Sequence, residues 1–275
     1  MPQSISTAFI KQYEREVHTA YQMKGSKLRG FVRNVSNVIG STCIFQKVGK
    51  GSASQKTTHG LVPVMNVNHT SVEVTLYDYY AGDWADKLDE NKINIDEKKV
   101  LTDAGAYALG RKTDDLIITA LASASTLTVP EANIGMTLAK VYAAMEKLGN
   151  ADVPDDGDRT AVVGWKQWGE LLNIDEFSNS QFIGDADLPF KGLSAKKWLG
   201  TTWIAHPALP VASDIRKCFW FHKTAVGHAS GSDVQTDITW HGDRAAHFVN
   251  NMMSQGSALI DANGVVVINC DETPD

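Results

Sequence analysis

With 275 residues, 43% of them hydrophobic and 21% charged, the chain can bury a sizeable core without disulfides or a structural metal. That composition excludes collagen-like, disordered and disulfide-scaffold classes, and the length fits one large domain or two intimately joined lobes. A net charge of -6 excludes a protein whose whole surface grips nucleic acid, but the charge is uneven: residues 1–60 hold nine Lys and Arg against two acids, leaving -13 for the rest. Such a split fits a basic arm that meets an anionic partner, a contact whose acidic half lies on another copy of the chain, or a plain solvated basic face.

Cys43, Cys218 and Cys270 are odd in number and far apart, which favours a reducing compartment over a disulfide framework or a paired CxxC zinc site. The opening MPQSISTAFIKQYERE lacks the apolar core of a secretory signal, and no stretch approaches the roughly 18 apolar residues that span a bilayer. Neither secretion by a standard signal nor membrane insertion is expected.

In chain order, Ile5, Phe9, Tyr13, Val17 and Tyr21 recur every four residues and predict an amphipathic arm helix within residues 1–35, docked elsewhere or on its own subunit. STCIFQKV (41–48) and SVEVTLYDY (72–80) read as strands, and the polar, glycine-rich GKGSASQKTTHG between them has too few apolar residues to pack as a core, so a protruding hairpin is expected. An acidic helix is predicted at about 83–91. A long one follows at about 96–123, N-capped by Asp96, with a stripe of Val100, Ala104, Tyr107, Ala108, Arg111, Asp115, Ile118 and Ala122. At roughly 1.5 Å per residue it would be a rod of about 40 Å, and Gly105 and Gly110 within it mark close approach by another element.

A further helix at about 131–148 would bury Ile134, Leu138, Val141, Met145 and Leu148, with Pro130 at its start and Gly149 as its stop. A polar loop then leads into a short strand at 161–163 and a helix at 165–172, opening a mixed second lobe with strands near 203–205 and 218–221. ALI (258–260) and VVVI (265–268) around Asp261-Ala262-Asn263-Gly264 read as a second hairpin.

Motifs of chemistry are weak. VGKGS (48–52) fails the phosphate-loop pattern at Ile44 and Gly51; Asp152, Asp155, Asp156 and Asp158 lack the closing Glu of a calcium loop and read as a solvated turn. His222, His228, His241 and His247 have no metal-ligand spacing to a cysteine, and Ser257 in QGSAL is not a nucleophile elbow. No catalytic residue, cofactor or metal is therefore assigned.

Six segments, FIKQYEREVHTAYQ (9–22), FQKVGKGSA with HGLVPVMNVNHT (45–70), AGDWADKLDE (81–90), GAYALGRKTDDLIITAL (105–121), DVPDDGDRTAVVG (152–164) and ALIDANGVVVI (258–268), occur in an order that resembles the major capsid proteins of short-tailed and related phages. The resemblance covers most of the chain. It implies an α+β, Hong Kong 97-type fold with an N-arm at 1–35, an extended E-loop at 36–80, a P domain at 81–149 and 245–275 containing the spine helix, and an A domain at 150–244. It further implies hexamers and pentamers closing an icosahedral shell around double-stranded DNA, each E-loop lying over a neighbour's P domain, and a portal protein at one vertex. No long charged helical segment precedes the arm helix, so a separate scaffolding protein is implied. No membrane partner is.

On this reading Lys47, Lys50 and Lys56 of one subunit meet Asp83, Asp86, Asp89 and Glu90 of the next, while Phe9, Tyr13 and Val17 supply apolar arm contacts. Exposed pairs are worth only about 0–1 kcal/mol each, so charge would set register while apolar area sets strength. The alternatives are an encapsulin-like compartment around a protein cargo and a soluble enzyme with a lid-like hairpin.

Overall fold

The computed structural model describes residues 25–88, 97–178 and 195–273, an α+β arrangement. In chain order its strands and helices are β1 (Arg33–Val35), β2 (Thr42–Val48), β3 (His69–Thr75), β4 (Tyr77–Asp86), α1 (Glu97–Ala122), β5 (Leu127–Val129), α2 (Leu138–Asn150), β6 (Arg159–Val163), α3 (Trp165–Leu172), α4 (Asp175–Ser178), β7 (Ala195–Trp198), β8 (Thr201–Ala205), β9 (Val211–Ala212), β10 (Ile215–His222), β11 (Val226–His241), β12 (Ala246–Leu259) and β13 (Val265–Asp271). The expected arm helix and the Asp96 cap lie outside the described residues. Two compact units emerge: a smaller one of residues 78–88, 97–111 and 233–253 with Gly25, and a larger one of residues 26–77, 112–178, 195–232 and 254–273.

The larger unit is organised on a mixed sheet in the order β5-β13-β10-β6-β8-β7, with β9 added alongside β10. All five residues of β6 are buried, as a central strand covered on both faces requires, which is why Ala161-Val162-Val163 reads as a continuous apolar run rather than an alternation. The rings of Trp168, Phe177, Trp198, Trp203 and Trp220 pack together with centroids 5.2 to 6.3 Å apart. Phe219, Phe221, Leu171 and the β13 valines complete this core.

Two expected features differ here. The helix after Pro130 begins only at Leu138, with Thr137 as N-cap accepting the Lys140 N–H, because residues 127–129 pair with β13 as a parallel strand and keep the chain extended. Its buried face is Val141, Ala144 and Leu148, while Ile134 and Met145 are exposed, and Lys140 turns inward so that Nζ donates to the carbonyls of Glu131 (2.7 Å), Ile134 (2.5 Å) and Asn269 (2.9 Å). Secondly, the Asn263-Gly264 turn does not close a hairpin. β12 belongs to another sheet, β13 pairs with β10 and β5, and the turn hands the chain from one sheet to the other. The strong turn signal was local and carried no information about which partner each strand would find.

The second sheet runs β1-β11-β12-β4. In the larger unit, β1 pairs in parallel with the first residues of β11, Arg33 opposite Gly227 through Val35 opposite Ala229. In the smaller unit, residues 83–86 continue β4 as strand where an acidic helix was expected; Trp84 explains this, lying against Phe248 of neighbouring β12 (4.6 Å) and His241 at the end of β11 (5.0 Å), with the Arg244 guanidinium 4.5 Å above it. Asn251, almost fully buried, donates to the Ala81 carbonyl and accepts from the Thr236 hydroxyl. A methyl group on Gly105 would fall 2.1 Å from the Asn251 amide, and one on Gly110 2.7 Å from Gly25 Cα, so both glycines of α1 do mark close approach. The buried residues of the helix are Leu109, Gly110, Thr113, Asp114, Ile117, Ile118, Ala120 and Leu121, offset from the expected stripe: Asp115 is exposed.

Candidate assembly surfaces

β2 and β3 form an antiparallel hairpin in continuous register from Thr42 opposite Thr75 to Val48 opposite His69. Alternation sends Phe45 and Val74 inward, where they join Leu76, Ala229 and Ile260 in a small separate core that anchors the base of the hairpin. Gly49 N–H donates to the Asn68 carbonyl at 2.8 Å, and beyond this bond residues 50–68 have no regular ladder.

The connecting segment is less polar than its first half promised. Leu61, Val62, Val64 and Met65 are 96%, 74%, 79% and 57% exposed. Pro63 between them lacks the N–H that a continuing ladder needs, which keeps this short apolar run out of the hairpin. Several large apolar side chains gathered at one loop, at this exposure, make it a candidate association surface, unlike single scattered surface hydrophobes. The run LVPVM is legible in the sequence, but the polar GKGSASQKTTHG beside it masks the apolar half of the tip.

Of the charged candidates, Lys47 lies on β2 and pairs with Asp261 at 2.8 Å, both partly exposed. Lys50 pairs with Asp152 of the same chain, and the Lys50 ammonium, through its hydrogen bond and then its charge, holds the Asp152 carboxyl below the usual carboxylate range. Lys56 is exposed and has no ion pair among the described residues. Asp83 and Asp86 are exposed on β4, accepting the N–H of Trp84 and of Leu88 at 2.8 Å each. Phe9, Tyr13, Val17, Asp89 and Glu90 lie outside the described residues. Within one chain, then, two of the three lysines already have acidic partners. Both pairs face solvent and are open to exchange.

The acidic turn, the histidines and the buried cysteines are engaged separately. Asp155 faces Arg159, and Asp156 accepts from His222 at 3.1 Å, its carboxyl lowered first by the Asp158 N–H and then by His222. His228 bonds the Ser257 hydroxyl, His241 lies beside Trp84 and His247 against Trp240. Burial, followed by the neighbouring Cys270, pushes the Cys218 thiol up, the reverse of what a nucleophile needs. Among the described residues no three His, Cys, Asp or Glu gather as a metal site, and no helix is long and apolar enough to cross a membrane.

A search of the curated proteins finds no sequence match. Solved structures are similar over nearly the full length: the capsid of cyanophage P-SCSP1u (TM-score 0.75, 17% identity, 97% of this chain and 94% of that one), the cyanophage Pam1 capsid (0.73, 16%, 100% of each) and the capsid of Ralstonia phage GP4 (0.72, 12%, 100% and 98%). At these identities the likeness is one of fold. The family model described as phage capsid protein matches residues 5–272. A chain that matches this family over residues 5–272 and shares the fold of these capsids belongs to the phage capsid proteins: it is a major capsid protein with the α+β Hong Kong 97-type fold, a structural component of the virion shell.

Proposed function

We propose that copies of this chain associate as hexamers and pentamers, each hairpin tip seated on a neighbouring subunit, to close the icosahedral shell around double-stranded DNA held without base-specific contacts. In this reading residues 1–35 act as the N-arm, 36–80 as the E-loop, 81–149 with 245–275 as the P domain and 150–244 as the A domain. Assembly takes place in the host cytoplasm on a separate scaffolding protein, with a portal protein at one vertex, and the chain performs no catalysis. The observation that carries the reading is the exposed quartet Leu61, Val62, Val64 and Met65 on a hairpin whose base is firmly packed.

Charge supplies the register. No Asp or Glu occurs between Glu16 and Glu73, so the whole hairpin up to that point is basic or neutral and suits the acidic Asp83, Asp86, Asp89 and Glu90 of a neighbour. Reversing Lys47, Lys50 and Lys56 to Glu is expected to block shell formation, read by sedimentation and light scattering, while the subunit still unfolds cooperatively. Lys56→Glu alone, which disturbs no ion pair among the described residues, should slow assembly most at low salt. Normal shells from the triple variant would remove the charge contact from the account.

A further inference from the structure

Among the described residues, the most completely enclosed ionic group lies away from the surfaces described above. Asp114, on the inner face of α1, and His206, just past β8, are both fully buried and meet at 3.1 Å between Nε2 and the carboxylate. Three further donors converge on the same carboxylate, all from one short stretch: the Ser26 hydroxyl at 2.5 Å and the N–H groups of Lys27 (3.0 Å) and Leu28 (3.1 Å). Ser26 in turn accepts the Arg29 N–H at 3.1 Å, so the carboxylate organises the single helical turn Arg29–Phe31 that follows. Leu28 and Val32, on either side of that turn, are fully buried in the main core.

The proton positions follow from the partners. His206 Nδ1 accepts the Ala208 N–H at 3.2 Å and so carries no proton, which places the ring proton on Nε2, aimed at Asp114. Every group bonded to Asp114 is therefore a donor, and a protonated carboxyl would set a hydrogen against one of them inside a dry site. In sequence, the charged residues beside the bound stretch and Asp114 are Lys27, Arg29, Arg111, Lys112 and Asp115.

We propose that Asp114 is an acid-released clamp on the root of the N-terminal arm: ionised, it holds residues 26–28 against α1; protonated, it lets that root go while the core stays folded. Burial raises the Asp114 carboxyl, but the donors, His206 first and then Lys27, Ser26 and Leu28, outweigh it and hold it below the usual carboxylate range. A lowered carboxyl stabilises the fold above its ordinary titration range, near pH 4, and that stabilisation is lost as the pH falls through the lowered value. The clamp is thus closed at neutral pH and opens only in acid. Its effect on how the arm leaves the subunit deepens the assembly reading and rests on it; the clamp itself does not.

Hydrogen exchange on the full chain as unassembled subunits, corrected for intrinsic rates, tests the clamp independently of shell formation. Wild type is expected to lose at least about tenfold protection over residues 26–32 in acid while residues 112–121 and β10 keep theirs. Asp114→Asn should expose residues 26–32 at neutral pH and abolish the pH step. His206→Phe, which keeps the carboxylate but removes one donor, should keep the step and move it to higher pH, and it carries the test if the Asn variant does not fold. Residues 26–32 opening only together with α1 and β10, or an unshifted step in His206→Phe, would overturn the proposal.

Discussion

Replacing Leu61, Val62, Val64 and Met65 together by Ser is expected to abolish shell formation and leave the subunit as stable as before. The four side chains are more than half exposed, so the isolated fold gains little from them, and surface changes of this kind usually stay within roughly ±0.5 kcal/mol. Buried against a neighbour, each would contribute about 1.5–3 kcal/mol, on the order of 6–12 kcal/mol per hairpin before ordering costs. Losing even about 4 kcal/mol of this raises the concentration needed for association by roughly a thousandfold. The measurement is the concentration dependence of sedimentation, paired with chemical denaturation of the unassembled chain. Intact shells at wild-type concentrations would mean that this loop is not a subunit contact; a destabilised monomer would mean that its side chains pack within their own subunit.

The opposite outcome is expected at Trp203. It is fully buried on β8, its ring lies 5.2 Å from Trp220 and 5.6 Å from Trp198, and its Nε1–H donates to the Trp198 carbonyl at 3.1 Å. Trp203→Ala removes the centre of the aromatic core and should cost about 3–5 kcal/mol, a large share of the roughly 5–15 kcal/mol that holds a domain folded. Trp203→Phe should recover much of this by keeping an aromatic ring in the cluster. Trp165, half exposed at the start of α3, serves as the control, and its replacement by Ala should change unfolding by no more than about 0.5 kcal/mol. Equal losses at the two positions would contradict the placement of the core. A stable but shell-incompetent tip variant beside an unstable Trp203 variant separates the surfaces used between subunits from the packing within one.

The sequence shows some parts of this organisation clearly and hides others, for physical reasons. α1 was legible because a helix of 26 residues outweighs two glycines, and those glycines correctly signalled close packing. The inner face of α1 is hidden because two of its members, Thr113 and Asp114, are polar yet buried, Thr113 bonding Gln255 and Asp114 holding residues 26–28, whereas Arg111 and Asp115 fit the three-and-four spacing without being buried. β11 is absent from the sequence reading, although Val234, Thr236, Ile238 and Trp240 alternate as strand residues do; Gly231, Asp233 and Asp237 interrupt the run, and neighbouring β12 completes its pairing. Residues 83–86 were read as helix from their charge, whereas the packing of Trp84 keeps them in β4. Among the surface candidates, the lysines of the hairpin stood out by charge, but the partners that Lys47 and Lys50 take within the chain, Asp261 and Asp152, lie more than a hundred residues away and have no local signature.

The proposed function stands or falls on closure of this chain into a shell. Electron microscopy of the expressed chain, alone and with the proposed scaffolding protein, is the decisive measurement. The account predicts closed shells or tubular polyheads of hexamers, with nucleic acid rather than a protein cargo as the contents of mature particles. A monomer or small oligomer at every concentration and salt, with or without the scaffold, would contradict it.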